Sequence, residues 1–366
     1  MKSEKKLFLL DAFALIYRAY FAFAKNPRIN SKGLDTSAVF GFVNTLVEVI
    51  KKENPTHLAV VFDTKKPTER HIEYPEYKAH REAMPDGLRD ALPYIDKLLE
   101  AFHIPKLYKD GYEADDVVGT LAKKAEKAGF QVYMMTSDKD FAQLVSDNIF
   151  MYRPGNKWQP TAIWGIPEVL EKFDIQRVDQ VIDFLGMMGD TADNIPGIPG
   201  IGKKTAQKFI KQYGSMEGLF ANSHELKGKM KENVESSEEI GMLCKKLVTI
   251  ITDVPIEFNE EAMKMTPINE EKIRQLFEEL EFRNLLQRVL STNTLPERKV
   301  ETEVKIKKTS NNLDQIDLFS SIQEVKKEPL HNPKQIIIES ANEISLLVDK
   351  INNQKLFALH IITDNK

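Results

Sequence analysis

Three short apolar runs in this chain each lead into an aspartate. The runs are residues 7–10 (LFLL), 58–62 (LAVVF) and 132–135 (VYMM). Segments with a helical period of apolar residues lie between them, and this alternation is typical of a mainly parallel sheet flanked by helices. We therefore predict an α/β fold. Asp11, Asp63 and Asp138 should then meet at the carboxyl edge of the sheet, where open α/β sheets form their binding sites.

Acidic residues recur in five tight groups that together contain nine carboxylates. A single aspartate after a strand has an ordinary explanation, because Asp caps helices and opens turns. Carboxylates held close together repel one another and raise their pKa values, so a fold that gathers them usually binds cations, and oxygen ligands favour Mg²⁺ or Mn²⁺. The sequence therefore predicts a two-metal phosphodiesterase centre. Its candidate ligands are Asp11, Asp63, Glu113, Asp115, Asp116, Asp138, Asp140, Asp190 and Asp193.

Glycines are concentrated in residues 195–202, which read IPGIPGIG. Such a loop exposes backbone N–H groups at a helix N-terminus, where a phosphate can bind, and Lys203 and Lys204 add positive charge. The loop is not a P-loop, because Lys203 is followed by Lys204 and not by Ser or Thr. We expect a helix-hairpin-helix-like clamp that binds the DNA backbone without reading its sequence, with a plain tight turn as the alternative.

Basic and aromatic residues alternate in the polar stretch at 64–81. Cationic side chains here could contact phosphates while Tyr74 and Tyr77 offer stacking faces, as in channels for single-stranded nucleic acid. The alternative is a solvated, mobile loop, because the stretch has too few apolar residues to contribute to a core. The candidate cations are Lys65, Lys66, Arg70, Lys78 and Arg81.

Composition and charge exclude few function classes. The formal net charge is −4, but bound metals would neutralise much of the acidic set, so the charge does not argue against a nucleic-acid partner. The single cysteine, Cys244, excludes an intramolecular disulfide and suits a reducing cytosol, and we assign it no role. Asp11 and Arg18 interrupt the apolar N-terminal stretch, so we expect no signal peptide, no membrane span and a cytoplasmic protein.

The length of 366 residues allows two or three domains. We expect a catalytic α/β domain at 1–175 and a helical DNA-binding region at 176–290. Residues 291–333 have the composition of a flexible linker. Residues 334–366 contain two strand-like runs and a short helical one, which is too little to close a domain, so we expect the chain to stop inside one.

Six motifs of this chain, in their order and spacing, resemble those of the N-terminal 5′-nuclease domain of bacterial DNA polymerase I. They are residues 9–18 (LLDAFALIYR), 60–63 (VVFD), 77–81 (YKAHR), 111–116 (GYEADD), 136–140 (TSDKD) and 189–197 (GDTADNIPG). The resemblance covers roughly residues 6 to 290. It implies a metal-dependent 5′→3′ exonuclease and structure-specific 5′-flap endonuclease that acts on DNA in replication and repair, as flap endonucleases and phage 5′-exonucleases do.

The resemblance also assigns roles to the acids and to two cations. Asp63, Glu113, Asp115 and Asp116 are implied as inner ligands of two divalent metals, with Asp11 close by. The remaining four acids are implied on the outer side, directly or through water. The implied catalytic set is Asp11, Asp63, Glu113, Asp115, Asp116, Lys78 and Arg81.

The resemblance further implies contacts with DNA that carries 5′ flaps, nicks or ends. Tyr17 resembles an aromatic residue that stacks on the terminal base, and Lys78 and Arg81 resemble arch residues that steer the scissile phosphate. The glycine loop resembles a helix-two-turns-helix motif, which can also hold a K⁺ ion on the duplex backbone. The expected DNA contacts are Tyr17, Arg18, Arg70, Tyr77, Lys78, Arg81, Gly197, Gly200, Gly202, Lys203, Lys204 and Thr205.

Residues 334–366 resemble the start of a proofreading-like domain. His360 and Ile362 stand where active versions carry acids, so we assign no 3′→5′ activity, and we find no polymerase domain. Two other functions stay open. One is a catalytically silent duplex-DNA-binding module in which the acids only cap helices, and the other is an RNase of the related PIN-like type. We expect a monomer.

Overall fold

The computed structural model describes residues 5–155 and 160–290, all within one compact unit of the chain. The expected linker at 291–333 and the expected further domain at 334–366 lie outside the described residues. Among the described helices, none combines the length and the apolar character that a membrane crossing requires.

The described residues form one six-stranded sheet. Its strands are Lys6–Asp11 (β1), His57–Val61 (β2), Lys106–Leu107 (β3), Gln131–Met135 (β4), Ile149–Arg153 (β5) and Ala162–Trp164 (β6). Their order is β3-β2-β1-β4-β5-β6, and every neighbouring pair is parallel except β5 with β6. The predicted mainly parallel sheet and its three predicted strands are confirmed. The strand order reverses between β1 and β4, and this switch point is where open α/β sheets place their ligands.

Helices cover both faces of the sheet and continue beyond it. The helices are Ala12–Ala22 (α1), Ser37–Glu53 (α2), Glu69–Glu73 (α3), Asp86–Ala101 (α4), Ala114–Lys127 (α5), Ile166–Phe173 (α6), Gln180–Met188 (α7), Lys203–Tyr213 (α8), Met216–Ala221 (α9), Gly228–Glu235 (α10), Glu238–Val248 (α11), Glu260–Met263 (α12), Glu270–Glu279 (α13) and Arg283–Leu290 (α14). Two 3-10 helices lie at Lys139–Leu144 and Ser223–Glu225.

Burial on both faces of the sheet explains the continuous apolar runs of its strands. In β1, Leu7 and Leu9 belong to one core and Phe8 and Leu10 to the other, and all four are 0% exposed. Residues of α5, α7, α8 and α11 complete the first core. Residues of α1, α2, α4 and α13 complete the second. The first core therefore runs without a break from the sheet into the helical region that follows it in sequence.

Two turns connect α7 to α8. Reciprocal backbone hydrogen bonds between Asp190 and Ile195, at 2.9 and 2.8 Å, close the first turn, and the second lies at 198–201. Gly189 and Gly197 have φ angles of +74° and +67°, and a Cβ on Gly197 would lie 2.5 Å from the nitrogen of Gly189. The predicted helix-two-turns-helix arrangement is therefore present, and these two glycines allow its backbone segments to cross.

Candidate active site at the carboxyl edge of the sheet

Three acids at the ends of β1, β2 and β4 each cap a helix with one carboxylate oxygen. Asp11 accepts a hydrogen bond from a backbone N–H of α1 at 3.1 Å, and Asp63 accepts one from the first N–H of α5 at 2.8 Å. Asp138 accepts one from an N–H of the 3-10 helix that follows it, at 3.0 Å. Each acid can therefore cap a helix and also belong to a cluster of carboxylates, because the capped helices all start at this edge of the sheet.

Burial and mutual repulsion raise the pKa values of the acids at this edge. Burial raises the pKa of Asp115 well above its ordinary value, and the carboxylates of Asp11 and Asp138 raise it further. Burial also raises the pKa of Asp11 to about 7, with Asp63 adding to the effect. The pKa of Asp140 rises to about 8 through burial and the Asp138 carboxylate. These five residues, named the acidic edge below, share one electrostatic environment.

The acidic edge has the chemistry of a divalent metal site. Its donors are carboxylate oxygens, and Oδ1 of Asp140 is buried without a hydrogen-bond partner among the described residues. In the same described residues, no three His, Cys, Asp or Glu side chains are already arranged around one metal position. The residues fit a hard cation, and a bound ion would have to draw the carboxylates closer together.

The outer acids Asp190 and Asp193 lie on the turn after α7 and face Asp138, whose pKa is raised first by burial and then by these two carboxylates. Asp190 forms an ion pair with Lys139 at 2.8 Å. The structure therefore brings the loop between α7 and α8 to the acidic edge, as the sequence predicted.

Glu113 and Asp193 are held by donors from the 64–81 stretch. Nζ of Lys78 lies 2.7 Å from Glu113 and 3.7 Å from Asp193, and Arg81 forms an ion pair with Asp193. The Tyr77 hydroxyl donates to Glu113 at 3.0 Å. Tyr77 is only 3% exposed, so the prediction that it offers a stacking face is wrong. Its ring contributes to the core, which the low apolar content of this stretch had not suggested.

Asp116 and Arg70 do not take the positions that the sequence predicted for them. Asp116 is 0% exposed, and its two oxygens accept hydrogen bonds from Arg70 at 2.7 and 2.8 Å. Arg70 is itself buried. A metal ion at Asp116, or a phosphate at Arg70, would have to displace a buried two-point ion pair. Both assignments, metal ligand for Asp116 and DNA contact for Arg70, are therefore corrected.

An open groove of about 780 Å³ adjoins the acidic edge. Three aromatic residues of α1 line it at i, i+4 spacing, with ring centroids 6.3 Å apart for Phe13 and Tyr17 and 6.1 Å for Tyr17 and Phe21. Phe13 and Phe21 were not among the sequence candidates, although their spacing was the available signal. Asp63 and Glu113 reach the groove, and its cationic lining is Lys65, Lys66, Lys78 and Arg81. Arg18, a predicted DNA contact, donates to the carbonyl of Gly155.

A second cationic surface lies at the start of α8. Gly202 is the N-cap of this helix, and Lys203 and Lys204 are exposed beside it, with Thr205 half-buried in the first turn. Within the described part of the chain, neither lysine forms an ion pair. Gly200 has a φ of +83°, which suits a glycine at this turn. The surface combines free N–H groups of a helix start with two lysine charges.

Two family models match the chain and together span most of the described residues. Residues 6–174 match the 5′-3′ exonuclease N-terminal resolvase-like domain, and residues 176–271 match the 5′-3′ exonuclease C-terminal SAM fold. A 5′-3′ exonuclease of Aquifex aeolicus is 38% identical over 285 residues, which cover 78% of this chain and 95% of that protein. The chain belongs to the 5′-3′ exonuclease family.

Longer proteins and a solved structure extend the comparison. DNA polymerase I of Bacillus subtilis is 37% identical over 345 residues, which are 94% of this chain but only 37% of that protein's length. The fold is similar to that of the bacteriophage T5 flap endonuclease, solved as a pseudo-enzyme-product complex with DNA and metal ions. The TM-score is 0.55 at 20% identity, and the alignment covers 79% of this chain and 100% of that one.

Proposed function

We propose that this chain hydrolyses phosphodiester bonds of DNA near 5′ ends and at the base of 5′ flaps, with the help of two divalent metal ions. The observation that carries the proposal is the acidic edge, where burial and mutual repulsion raise the pKa values of carboxylates held close together. An aromatic and cationic groove adjoins this edge. Family membership and the likeness to a flap endonuclease complexed with DNA and metal ions support the same function.

In this proposal Asp11, Asp63, Glu113 and Asp115 hold the metals, with Asp138, Asp140, Asp190 and Asp193 on the outer side, directly or through water. Mg²⁺ is the expected ion and Mn²⁺ a substitute, because the donors are all oxygen atoms. When bound, the ions supply a water of lowered pKa and stabilise negative charge on the phosphate. Asp115, which is buried beside the carboxylates of Asp11, Asp138 and Asp63, is the residue on which this function depends most.

The cations of the groove would orient the substrate. Lys78 and Arg81 now neutralise Glu113 and Asp193, so they lie between the acidic edge and the groove, where a scissile phosphate would pass. Tyr17, which lines the groove, would stack on a terminal base. Because a phosphate competes for the same guanidinium and ammonium groups, these ion pairs exchange partners when DNA binds.

The duplex would be held at the start of α8. Lys203 and Lys204 supply charge, and the N–H groups after Gly202 supply donors that recognise a phosphate without reading bases. A K⁺ ion at this loop stays a prediction. The division into a catalytic part at 1–175 and a duplex-binding part at 176–290 belongs to the proposal, as do a monomeric state, a cytoplasmic location and roles in primer removal and repair.

The proposal is tested with a double-flap DNA labelled at its 5′ end, incubated with the purified chain in Mg²⁺ or in EDTA. We expect Mg²⁺-dependent cuts at the flap junction and none with Asp115→Asn, whose single-turnover rate should fall by about 10²- to 10³-fold or more. Asp147→Asn, an exposed acid of the loop before β5, is the matched control and should cleave normally.

Two results would contradict the proposal. DNA that binds but stays intact in Mg²⁺ and in Mn²⁺ would favour the catalytically silent duplex-DNA-binding module. Cleavage of an RNA strand in preference to the DNA flap would favour the PIN-like RNase.

A further inference from the structure

Three segments of the chain meet at the side chain of Arg70. Arg70 lies on α3, and its carboxylate partner Asp116 lies in the first turn of α5. The third segment is the C-terminal end of α11: Arg70 donates to the carbonyl oxygens of Leu247 at 3.0 Å and Thr249 at 2.8 Å. Arg70 therefore joins the stretch before Lys78 and Arg81, the start of α5 and the end of α11.

Asp116 extends the same junction through the backbone. Its Oδ2 accepts a hydrogen bond from the N–H of Glu113 at 3.2 Å, and its Oδ1 accepts one from the N–H of Ile251 at 2.9 Å. Nη1 of Arg70 also lies 3.5 Å from the Glu113 carboxylate. The position of Glu113, and of Asp115 between the two, is thus tied to Arg70 without any contact between Arg70 and the acidic edge.

The junction also reaches the helices that carry the duplex-binding turns. Lys246, at the end of α11, forms an ion pair with Glu73 at the end of α3. The helix α11 packs tightly on α7, since a Cβ on Gly186 would lie 2.9 Å from the Cα of Lys245. The two turns and α8 follow α7 directly in sequence. The contacts of Arg70 with α11, and of α11 with α7, therefore connect Arg70 to the duplex-binding turns.

We infer that Arg70 and Asp116 form a positioning pair, which sets the groove cations Lys78 and Arg81 and the start of α5 in register with the duplex-binding helices. In this inference neither member of the pair binds substrate or metal, because both side chains are buried and hydrogen-bonded to each other. A two-point guanidinium–carboxylate pair fixes orientation as well as distance, which a lysine cannot do. The inference rests on the proposed function, because register between these parts matters only if DNA spans them.

A double-mutant cycle tests the pair by its effect on turnover. Arg70→Gln, Asp116→Asn and the double variant are compared with the wild type in single-turnover cleavage at saturating flap DNA. Because small misplacement of a reacting group can cost about 10²-fold, each single variant should be slower by roughly 10- to 100-fold, with DNA affinity changed less than about threefold. The double variant should be no slower than the slower single variant, since both remove one interaction.

Two further measurements separate a positioning role from a ligand role and from simple unfolding. Asp116→Asn should bind Mn²⁺ with the wild-type stoichiometry. Loss of one ion would overturn the inference by making Asp116 a metal ligand. Rate losses that multiply in the double variant would overturn it by showing that the two residues act independently. Arg70→Lys keeps the charge and replaces Arg70→Gln as the test variant if the latter does not fold. Its single-turnover cleavage should still be at least about fivefold slower than that of the wild type. A full rate in Arg70→Lys would also overturn the inference.

Hydrogen exchange makes the inference testable without activity. In Arg70→Lys, the backbone amides of residues 74–81 and of the first turn of α5 should exchange faster, while those of α4 serve as the unchanged control. Unchanged exchange at 74–81 would overturn the positioning pair. A wild-type protein that fails to cleave DNA would instead overturn the proposed function, and the exchange result would still decide whether Arg70 fixes this segment.

Discussion

Asp115 and Asp116 are neighbours in sequence, yet they lie in opposite electrostatic environments. Asp115 faces other carboxylates, and burial together with their charge raises its pKa. Asp116 faces away from them and receives both of its strongest hydrogen bonds from Arg70. A helix turns by about 100° per residue, so adjacent side chains leave it in different directions. The groups that surround each side chain, and not the residue type, therefore distinguish the candidate metal ligand Asp115 from the structural acid Asp116.

The comparison also separates two ways of gathering charge. In the acidic edge, burial and repulsion between carboxylates outweigh the nearby charges of Lys78 and Lys139, and the cluster therefore lowers the stability of the metal-free protein. The Arg70–Asp116 pair is neutral as a unit and hydrogen-bonded, so removing one partner leaves an uncompensated buried charge. Mutations in the two regions should consequently have opposite effects on folding.

The largest effect is expected from Arg70→Met. Removing the guanidinium leaves a buried carboxylate without its partner, which should lower the free energy of unfolding by about 3 to 5 kcal/mol. Urea denaturation at neutral pH measures this loss in the free energy of unfolding. Arg89→Met is the control, because Arg89 is 61% exposed in its ion pair with Asp86 and should cost less than about 1 kcal/mol. Equal losses for the two variants would remove the distinction between the regions.

A smaller effect of opposite sign is expected from Asp140→Asn. The folded-state pKa of Asp140 is about 8 and that of Asp11 about 7, against an ordinary value of 3.8. Raised acids contribute stability that is fully present below about pH 4 and is lost as pH rises through 7 to 8. Asp140→Asn should therefore stabilise the metal-free protein increasingly with pH, by about 1 to 2 kcal/mol at pH 8.

Melting temperatures in EDTA between pH 5 and 9 measure this pH dependence. Saturating Mg²⁺ should flatten the wild-type curve, because a cation favours the ionised carboxylates, and should affect Asp140→Asn less. Asp147→Asn should follow the wild type. A wild-type protein whose stability does not fall with pH relative to Asp140→Asn would mean that the acidic edge is solvated and not repulsive.

The smallest effect concerns the surface that lies outside both regions. Lys203→Ala combined with Lys204→Ala should reduce the slope of log affinity against log salt by about 2, since two phosphate contacts are lost. Cleavage at saturating DNA should not change. Lys51→Ala with Lys52→Ala, two exposed consecutive lysines at the end of α2, is the matched control. An unaltered slope in the first variant would place the duplex elsewhere.

The sheet and the acidic edge could be predicted because their signals are local. Strands buried on both faces read as unbroken apolar runs, and Asp11, Asp63 and Asp138 follow three of them. Parallel strands then bring these acids to one edge without further information. The two turns between α7 and α8 could be predicted from glycine and proline content for a similar reason.

The partners of Arg70 and Tyr77 could not be predicted because they depend on tertiary contacts. Arg70 meets Asp116, which is 46 residues away, and carbonyls at 247 and 249, which are 177 and 179 residues away. Residues 64–81 carry so few apolar side chains that composition indicates a solvated loop, yet the Tyr77 ring is buried. Which face of α5 meets α3 follows from packing between elements distant in sequence.

Asp11 caps the helix that carries Tyr17, and this sets the distance between the two residues. Asp11 caps α1, and Tyr17 lies six residues further along it, which at about 1.5 Å per residue is roughly 9 Å. On the proposed function, the single helix α1 sets the distance between the stacked base and the cleaved bond. The size of the released product is then insensitive to changes in the loops around the groove, and it changes only when α1 itself is altered.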